Sequence, residues 1–309
     1  MTFYMKTYDK INFEEVNKGN LHTHTTRTDG EFSVDEIAQL YKRAGYKFLA
    51  ITDHRIYFDK PESAEGMILL SGCEYNCYLD QDERIHFHLL TLKDSREDDL
   101  DRIQHDDNQY KSLFFRKLSE VQGLIDTLRY RGNLVVIAHP DNPFIPREML
   151  FELKDYQGIE VFNTKADQDA TELMEELFEQ RFDLLFTAAD DAHRLEAADG
   201  RSLFYKGFIV VEDGVRTAED VIKTVERRRF YASQGPLIKM VEIEGDLLTV
   251  KHHSVKKVEI KMYGQQYLET VVLSGESGYT SKLLNTSTEG VILKLEDQFG
   301  KKAWFAYSC

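Results

Sequence analysis

The chain predicts an α/β fold followed by a small all-β region, and three features carry that prediction. Between Asn20 and Ser233, short apolar runs alternate with stretches of helical period, the pattern of repeated strand and helix units around a mostly parallel sheet. After Gly235-Pro236 the helical period disappears and only short alternating runs remain. The composition, 42% hydrophobic and 30% charged with five prolines in 309 residues, belongs to a folded protein rather than a disordered or fibrous one.

Candidate strands of the first region run from Gly19 to His22, Lys47 to Thr52, Met67 to Cys73, His86 to Leu92, Leu134 to Ala138, Gly158 to Phe162, Asp183 to Ala189 and Gly207 to Val211. Between the first two, Ser33 and Glu36 form a capping box ahead of Ile37, Leu40, Tyr41 and Ala44, whose spacing makes one apolar helix face. From Gln109 to Arg131, Leu113, Phe114, Leu118, Val121, Leu124, Ile125 and Leu128 fall on one stripe and predict a long core-facing helix. Thr217 and Asp220 open a further helix that carries Val221, Ile222 and Val225. Beyond Pro236 the strand candidates are Leu248-Thr-Val, Val258-Glu-Ile-Lys-Met, Leu268 to Leu273, Val291-Ile-Leu-Lys-Leu and Ala303-Trp-Phe-Ala-Tyr. Seven acids between Asp94 and Asp107 predict an exposed loop before the long helix. The chain thus divides into an N-terminal segment, 1–17, a main domain, 18–235, and a β-rich C-terminal domain, 236–309.

The formal charge of -15, from 39 Lys+Arg against 54 Asp+Glu, repels a phosphate backbone or an anionic membrane over most of the surface. Extended nucleic acid and membranes are therefore not expected partners, whereas a small anion drawn in by bound metal is. No window approaches the roughly 18 consecutive apolar residues of a membrane helix, and Met1 to Val16 lacks the basic end and apolar run of a signal peptide, so a cytoplasmic location is expected. Cys73, Cys77 and Cys309 form neither a disulfide framework nor paired zinc knuckles.

Histidine carries the chemistry. Two His-x-His pairs, His22/His24 and His86/His88, occur among ten histidines, and on a strand residues i and i+2 share a face. Apolar runs end in Thr52-Asp53-His54, Glu74, His139-Pro140 and Asp190-Asp191-Ala192-His193. In a parallel strand and helix barrel the carboxyl ends of the strands converge on one face, so ligands scattered in sequence meet in space.

These residues resemble the PHP (polymerase and histidinol phosphatase) family of metal-dependent phosphoesterases. The likeness lies in His22-Thr-His24-Thr with Asp29-Gly30, Thr52-Asp53-His54, Gly72-Cys73-Glu74, His88-Leu-Leu, Ala138-His139-Pro140, Gly158-Ile-Glu-Val-Phe-Asn163 and Asp191-Ala-His193, across roughly Lys18 to Gly235. It implies a distorted (β/α)7 barrel holding two or three divalent ions. His22, His24 and Asp191 would hold one ion, Glu74 would bridge to a second held by His88 and His139, and Asp29, His54 and His193 would hold a third. Glu74, Asp191 and His193 would be catalytic as well as ligating. His86 is the alternative to His88. Imidazoles and carboxylates without thiolates suit Zn, Mn or Fe and do not choose among them. Asp53 either orients an imidazole or forms a turn. Arg27, Arg55 and Arg194 sit beside ligands and are candidates for bidentate phosphate binding.

The resemblance implies a phosphomonoesterase that acts on a small anionic metabolite or nucleotide through a hydroxide bridging the metals. The alternatives are a metal-dependent hydrolase of a carboxylic ester, amide or glycoside on the same fold, and a non-catalytic metal-dependent binding module. A proofreading nuclease is disfavoured by the net charge, although cleavage of short oligonucleotides stays open.

Overall fold

The computed structural model describes residues 8–58, 66–79, 85–93, 112–141, 144–264 and 267–309. The elements of the first half are β1 (Tyr8–Asn12), β2 (Asn17–Asn20), α1 (Val34–Arg43), β3 (Phe48–Ile51), β4 (Ile68–Tyr78), β5 (His86–Lys93), β6 (Leu113–Phe114), α2 (Leu118–Tyr130), β7 (Leu134–Ala138), α3 (Arg147–Glu152), β8 (Gly158–Asn163) and β9 (Gln168–Asp169). They are followed by α4 (Thr171–Gln180), β10 (Leu185–Ala189), β11 (Phe208–Val211), α5 (Ala218–Glu226), β12 (Phe230–Ser233), β13 (Ile238–Glu244), β14 (Leu247–His252), β15 (Lys257–Gly264), β16 (Tyr267–Ser274), β17 (Tyr279–Leu283), β18 (Gly290–Glu296) and β19 (Lys302–Ser308).

Among the described residues the architecture is mixed α/β around a 15-stranded sheet, with a second sheet of four strands. The path through the large sheet runs β10-β8-β7-β5-β4-β3-β2-β11-β12-β19-β18-β15-β16. The pairs β10–β8, β8–β7, β4–β3 and β3–β2 are parallel. Strand β5 runs against both its neighbours. The first and seventh strands of this path, β10 and β2, are not joined by a continuous ladder among the described residues. Beyond their ends the two chains meet at one parallel bridge, Thr23 with Ala192, through His24 N to Ala192 O at 2.9 Å and Ala192 N to His22 O at 3.2 Å.

Local chemistry explains the helices. Both capping boxes form: Ser33 with Glu36 opens α1, and Thr217 with Asp220 opens α5. Helix α1 buries Ile37, Ala38 and Tyr41, and α5 buries Val221, Ile222 and Val225, each on one stripe. The long helix is shorter than its pattern. It begins at Leu118, because Leu113 and Phe114 pair as β6 with Cys77 and Tyr78 of β4. Backbone pairing to a neighbouring strand outweighs helical period there. Helices α3 and α4 were not among the sequence expectations; α4 opens at Ala170 without a side-chain cap, so no capping signature marks it. The acidic stretch from Asp94 to Asp107 lies outside the described residues.

One apolar cluster draws on Leu21, Phe48, Leu70, Leu90, Val136 and Leu185, and α5 packs into it through Val221 and Val225. This core lies between β2, β3, β4, β5, β7 and β10 and forms a floor beneath the ends of the strands. The C-terminal strands continue the large sheet, because Ala232 and Ser233 of β12 pair with Trp304 and Ala303 of β19. At Gly290 a side chain would come within 2.7 Å of Phe182 and 2.8 Å of Phe178, so glycine permits this close packing against α4. The N-terminal strand β1 pairs with β13 in the smaller sheet. Among the described residues no helix is long and apolar enough to cross a membrane.

Candidate metal centre

Strand ends bring the polar residues together above the apolar floor. His22 and His24 follow β2, His54 follows β3, His139 follows β7, and Asp191 and His193 follow β10. Glu74 projects from within the 11-residue β4. His88 sits near the start of β5, and the antiparallel direction of that strand carries it to the same end, where it pairs with Asn76 and Ala138.

Glu74 is 1% exposed and lies at the centre. Its Oε1 is 2.9 Å from His88 Nδ1, 3.2 Å from His22 Nε2 and 3.8 Å from His139 Nε2. Its Oε2 is 3.0 Å from His54 Nδ1 and 3.2 Å from His24 Nε2. Asp191 Oδ1 stands 3.4 Å from His22 Nε2, 3.5 Å from His24 Nε2 and 3.2 Å from His193 Nδ1. Asp29 reaches in from a loop, 3.2 Å from His193, 3.3 Å from His54 and 3.4 Å from His24. Among the described residues three sets have all their donor atoms within 4.8 Å of one another: His22, His24 and Glu74; Glu74, His88 and His139; and His24, Asp29, His54 and His193. Two of the sets share Glu74 and two share His24.

The donors fit divalent cations on a further ground. His24 Nδ1, His54 Nδ1, His139 Nδ1 and Asp191 Oδ1 are buried without a hydrogen-bond partner among the described residues. Each such group costs about 1–3 kcal/mol unless something satisfies it, and a cation satisfies several at once. The electrostatics point the same way. Burial pushes His22 down, but Asp191, Glu74 and Glu160 outweigh it and raise its pKa well above the usual value. Burial likewise opposes charge on His54 and His193, yet Glu74 and Asp29 raise the first to about 10, and Asp191 and Asp29 raise the second to about 9. Desolvation dominates at His88, which is pushed down to about 4, and it lowers His24. Against their own burial, Glu74 and Asp191 are held well below the carboxylate range by the surrounding imidazoles. The carboxylates thus draw positive charge into a buried space, as a metal site requires.

The backbone is bent to serve this cluster. His139 has φ +31 and Asp191 φ +51, left-handed values that cost energy in residues other than glycine. Glu160 holds the first in place: its Oε2 accepts from His139 N at 2.9 Å and Asn163 Nδ2 at 2.8 Å, while its Oε1 accepts from His22 Nδ1 at 2.8 Å. That bond leaves His22 Nε2 facing the cluster.

No family model matches the chain. Among curated proteins, the DNA polymerase/3'-5' exonuclease PolX of Bacillus subtilis is 27% identical over 232 residues, 63% of this chain. The chain spans 38% of that relative's length. The chain resembles the PHP family. Solved structures similar to this PHP-like chain include a two-domain protein from Bacteroides vulgatus containing a predicted PHP-like metal-dependent phosphoesterase, at 14% identity and TM-score 0.49, covering 98% of this chain and 96% of that one. A protein from Bifidobacterium adolescentis described as a metal-dependent phosphoesterase matches at 16% identity and TM-score 0.45, over 67% of this chain and 94% of that one. An amidohydrolase from Chromobacterium violaceum matches at 16% identity and TM-score 0.41, over 60% and 89%.

The structure brings His22, His24, Asp29, His54, Glu74, His88, His139, Asp191 and His193 into one cluster. His86 lies to one side, its ring 5.4 Å from Tyr78 and 4.8 Å from Phe144. The arginines are placed differently from one another. Arg27 donates to Tyr57 O at 3.0 Å and lies 3.9 Å from Asp53, with its guanidinium over Phe58. Arg55 ties its backbone N–H to Glu74 O at 2.9 Å. Arg194 is exposed. Asp53 touches no imidazole among the described contacts; it accepts from Thr25 N, Thr25 Oγ1 and Thr28 Oγ1, and so braces the loop that carries Asp29. Cys73 and Cys77 are buried, and burial raises both thiols far above the range of a thiolate ligand.

Sequence reasoning missed Lys165. Its Nζ lies 2.9 Å from His193 Nε2 and 3.7 Å from Asp191 Oδ1. A lysine in an exposed turn after a strand carries no signal of its own; only the convergence of β8 and β10 brings it to the cluster.

Proposed function

We propose that the chain is a metal-dependent phosphomonoesterase acting on a small anionic metabolite or nucleotide. The observation that carries this reading is the shared Glu74, one buried carboxylate facing five imidazoles and common to two of the three donor sets. In this reading His22, His24 and Asp191 would hold one ion, Glu74 would be shared with a second held by His88 and His139, and Asp29, His54 and His193 would hold a third. Zn, Mn and Fe all suit the donors. Divalent ions so placed supply Lewis acidity and an activated water. The chain's own part is to bury and orient the donors: Glu160 directs His22, Asp53 braces the loop of Asp29, and the apolar floor excludes water from below.

The same reading takes β10, β8, β7, β5, β4, β3 and β2 as a distorted (β/α)7 barrel, supported by the Thr23–Ala192 bridge and the apolar cluster between the strands. It treats 18–235 as the hydrolase domain, 236–309 as an added β-rich domain and 1–17 as an N-terminal segment. The net charge of -15 favours a small substrate over extended nucleic acid or a membrane surface, and three free cysteines suit the cytoplasm.

The test is to purify the protein without chelator, measure its metals by elemental analysis, and assay it against nucleotide, sugar and amino-acid phosphates. Two or three ions per chain with phosphate release is the expected result, and Glu74→Ala should abolish release. Bound metal without release from any phosphate would overturn the phosphoesterase reading in favour of a carboxylic ester, amide or glycoside substrate, or of a binding module. No metal after reconstitution would overturn the metal centre itself.

A further inference from the structure

The metal donors account for the imidazoles and carboxylates of the site but not for Lys165, a cation that lies beside them. Its loop is pinned firmly. Thr164 N donates to Ala189 O at 3.0 Å, Lys165 N to Asp190 O at 3.2 Å, and Ala166 N to Asn163 Oδ1 at 2.8 Å. Thr164 Oγ1 donates to the buried Asp190 at 2.7 Å. Further along, Lys302 pairs with Asp169, and Trp304 donates to Thr171 at 2.9 Å, so the C-terminal domain holds the same segment from its other end. The side chain of Lys165 is 42% exposed, and its ammonium lies 2.9 Å from His193 Nε2 and 3.7 Å from Asp191 Oδ1.

That position is at the mouth of the site rather than within its ligand set. The ammonium lies 2.9 Å from His193 Nε2, the nitrogen that also faces Asp29 at 3.2 Å. A flexible four-carbon stem would let the ammonium turn outward from that nitrogen while staying beside the centre. There it meets whatever anion the centre receives. Of the arginines suggested for this task, Arg27 is bound to Tyr57 O and lies over Phe58.

We propose that Lys165 is the substrate-binding cation of this site, pairing with a non-bridging oxygen of the substrate phosphate and of the inorganic phosphate product. This rests on the phosphoesterase reading above. Because the pair is made in ground state and transition state alike, its removal raises KM more than it lowers kcat. A charge-assisted hydrogen bond of this kind is worth about 10- to 100-fold in affinity.

The test uses the full, metal-loaded chain and inorganic phosphate as the probe, with binding followed by calorimetry and metal content by elemental analysis. Lys165→Met should weaken phosphate binding by about 10- to 100-fold, raise KM for a phosphomonoester in parallel and keep the wild-type metal content. Lys165→Arg should recover most of the binding. Wild-type phosphate affinity in Lys165→Met overturns the proposal while leaving the phosphoesterase reading intact, and loss of metal from that variant overturns it by making Lys165 part of the metal site's support. A metal-loaded wild type that neither binds nor releases phosphate overturns both readings.

Discussion

Replacing Glu160 by glutamine tests the metal centre through a residue that lies outside all three donor sets. Glu160 is 1% exposed, and its two oxygens have different neighbours. On one side are two fixed donors, the backbone N–H of His139 at 2.9 Å and Asn163 Nδ2 at 2.8 Å. The Asn163 amide cannot turn over without loss, because its Oδ1 already accepts from Ala166 N. On the other side is His22 Nδ1 at 2.8 Å. Glutamine has only one acceptor oxygen, and the two fixed donors claim it. Its NH2 then faces His22 Nδ1 and donates to it, which moves the ring proton to Nε2. That is the nitrogen 3.2 Å from Glu74 and 3.4 Å from Asp191, and once protonated it cannot bind a metal. Loss of such an orienting partner lowers metal affinity by about 10- to 100-fold, or about 1.4–2.8 kcal/mol. The assay is competition against a fluorescent chelator, with circular dichroism to confirm that the nearly isosteric variant folds. Wild-type metal affinity in Glu160→Gln would falsify the assignment of His22 Nε2 as a ligand.

Three further outcomes follow from the same structure. His88→Ala should lose metal by elemental analysis while His86→Ala keeps it, since only His88 faces Glu74; the reverse pattern would exchange their roles. Trp304→Phe removes a buried bond to Thr171 and should lower stability to urea by about 1–3 kcal/mol, and an unchanged midpoint would show that the C-terminal strand does not support α4. Glu175 is pushed up by burial, but Lys261 and Lys294 outweigh this and its folded pKa is lowered. The stabilisation from that shift is complete above the ordinary value of 4.5 and is lost as pH falls through the lower folded value. Glu175→Gln should therefore flatten the acid limb of a urea-stability profile below about pH 4.5, and parallel acid limbs would refute the contribution of these ion pairs.

Local order was written plainly in the chain. Strand β7 matches its apolar run from Leu134 to Ala138, and the capping boxes at Ser33 and Thr217 open helices where the residue types demand. Such features depend on neighbours a few positions away, and period and capping chemistry report them directly. The strand-end histidines and carboxylates were visible for the same reason, as polar residues closing apolar runs. What the chain could not announce depends on partners far away in sequence. Leu113 and Phe114 have helical spacing yet pair with β4. His88 joins the cluster because β5 runs antiparallel, a direction no local pattern encodes. Glu160 and Lys165 acquire their contacts with His22 and His193 across 138 and 28 residues. The kinds of candidate ligand were therefore determined by the sequence alone. Which atom faces which was decided by the tertiary structure, because strand direction and the burial of neighbouring charges exist only after distant segments have packed.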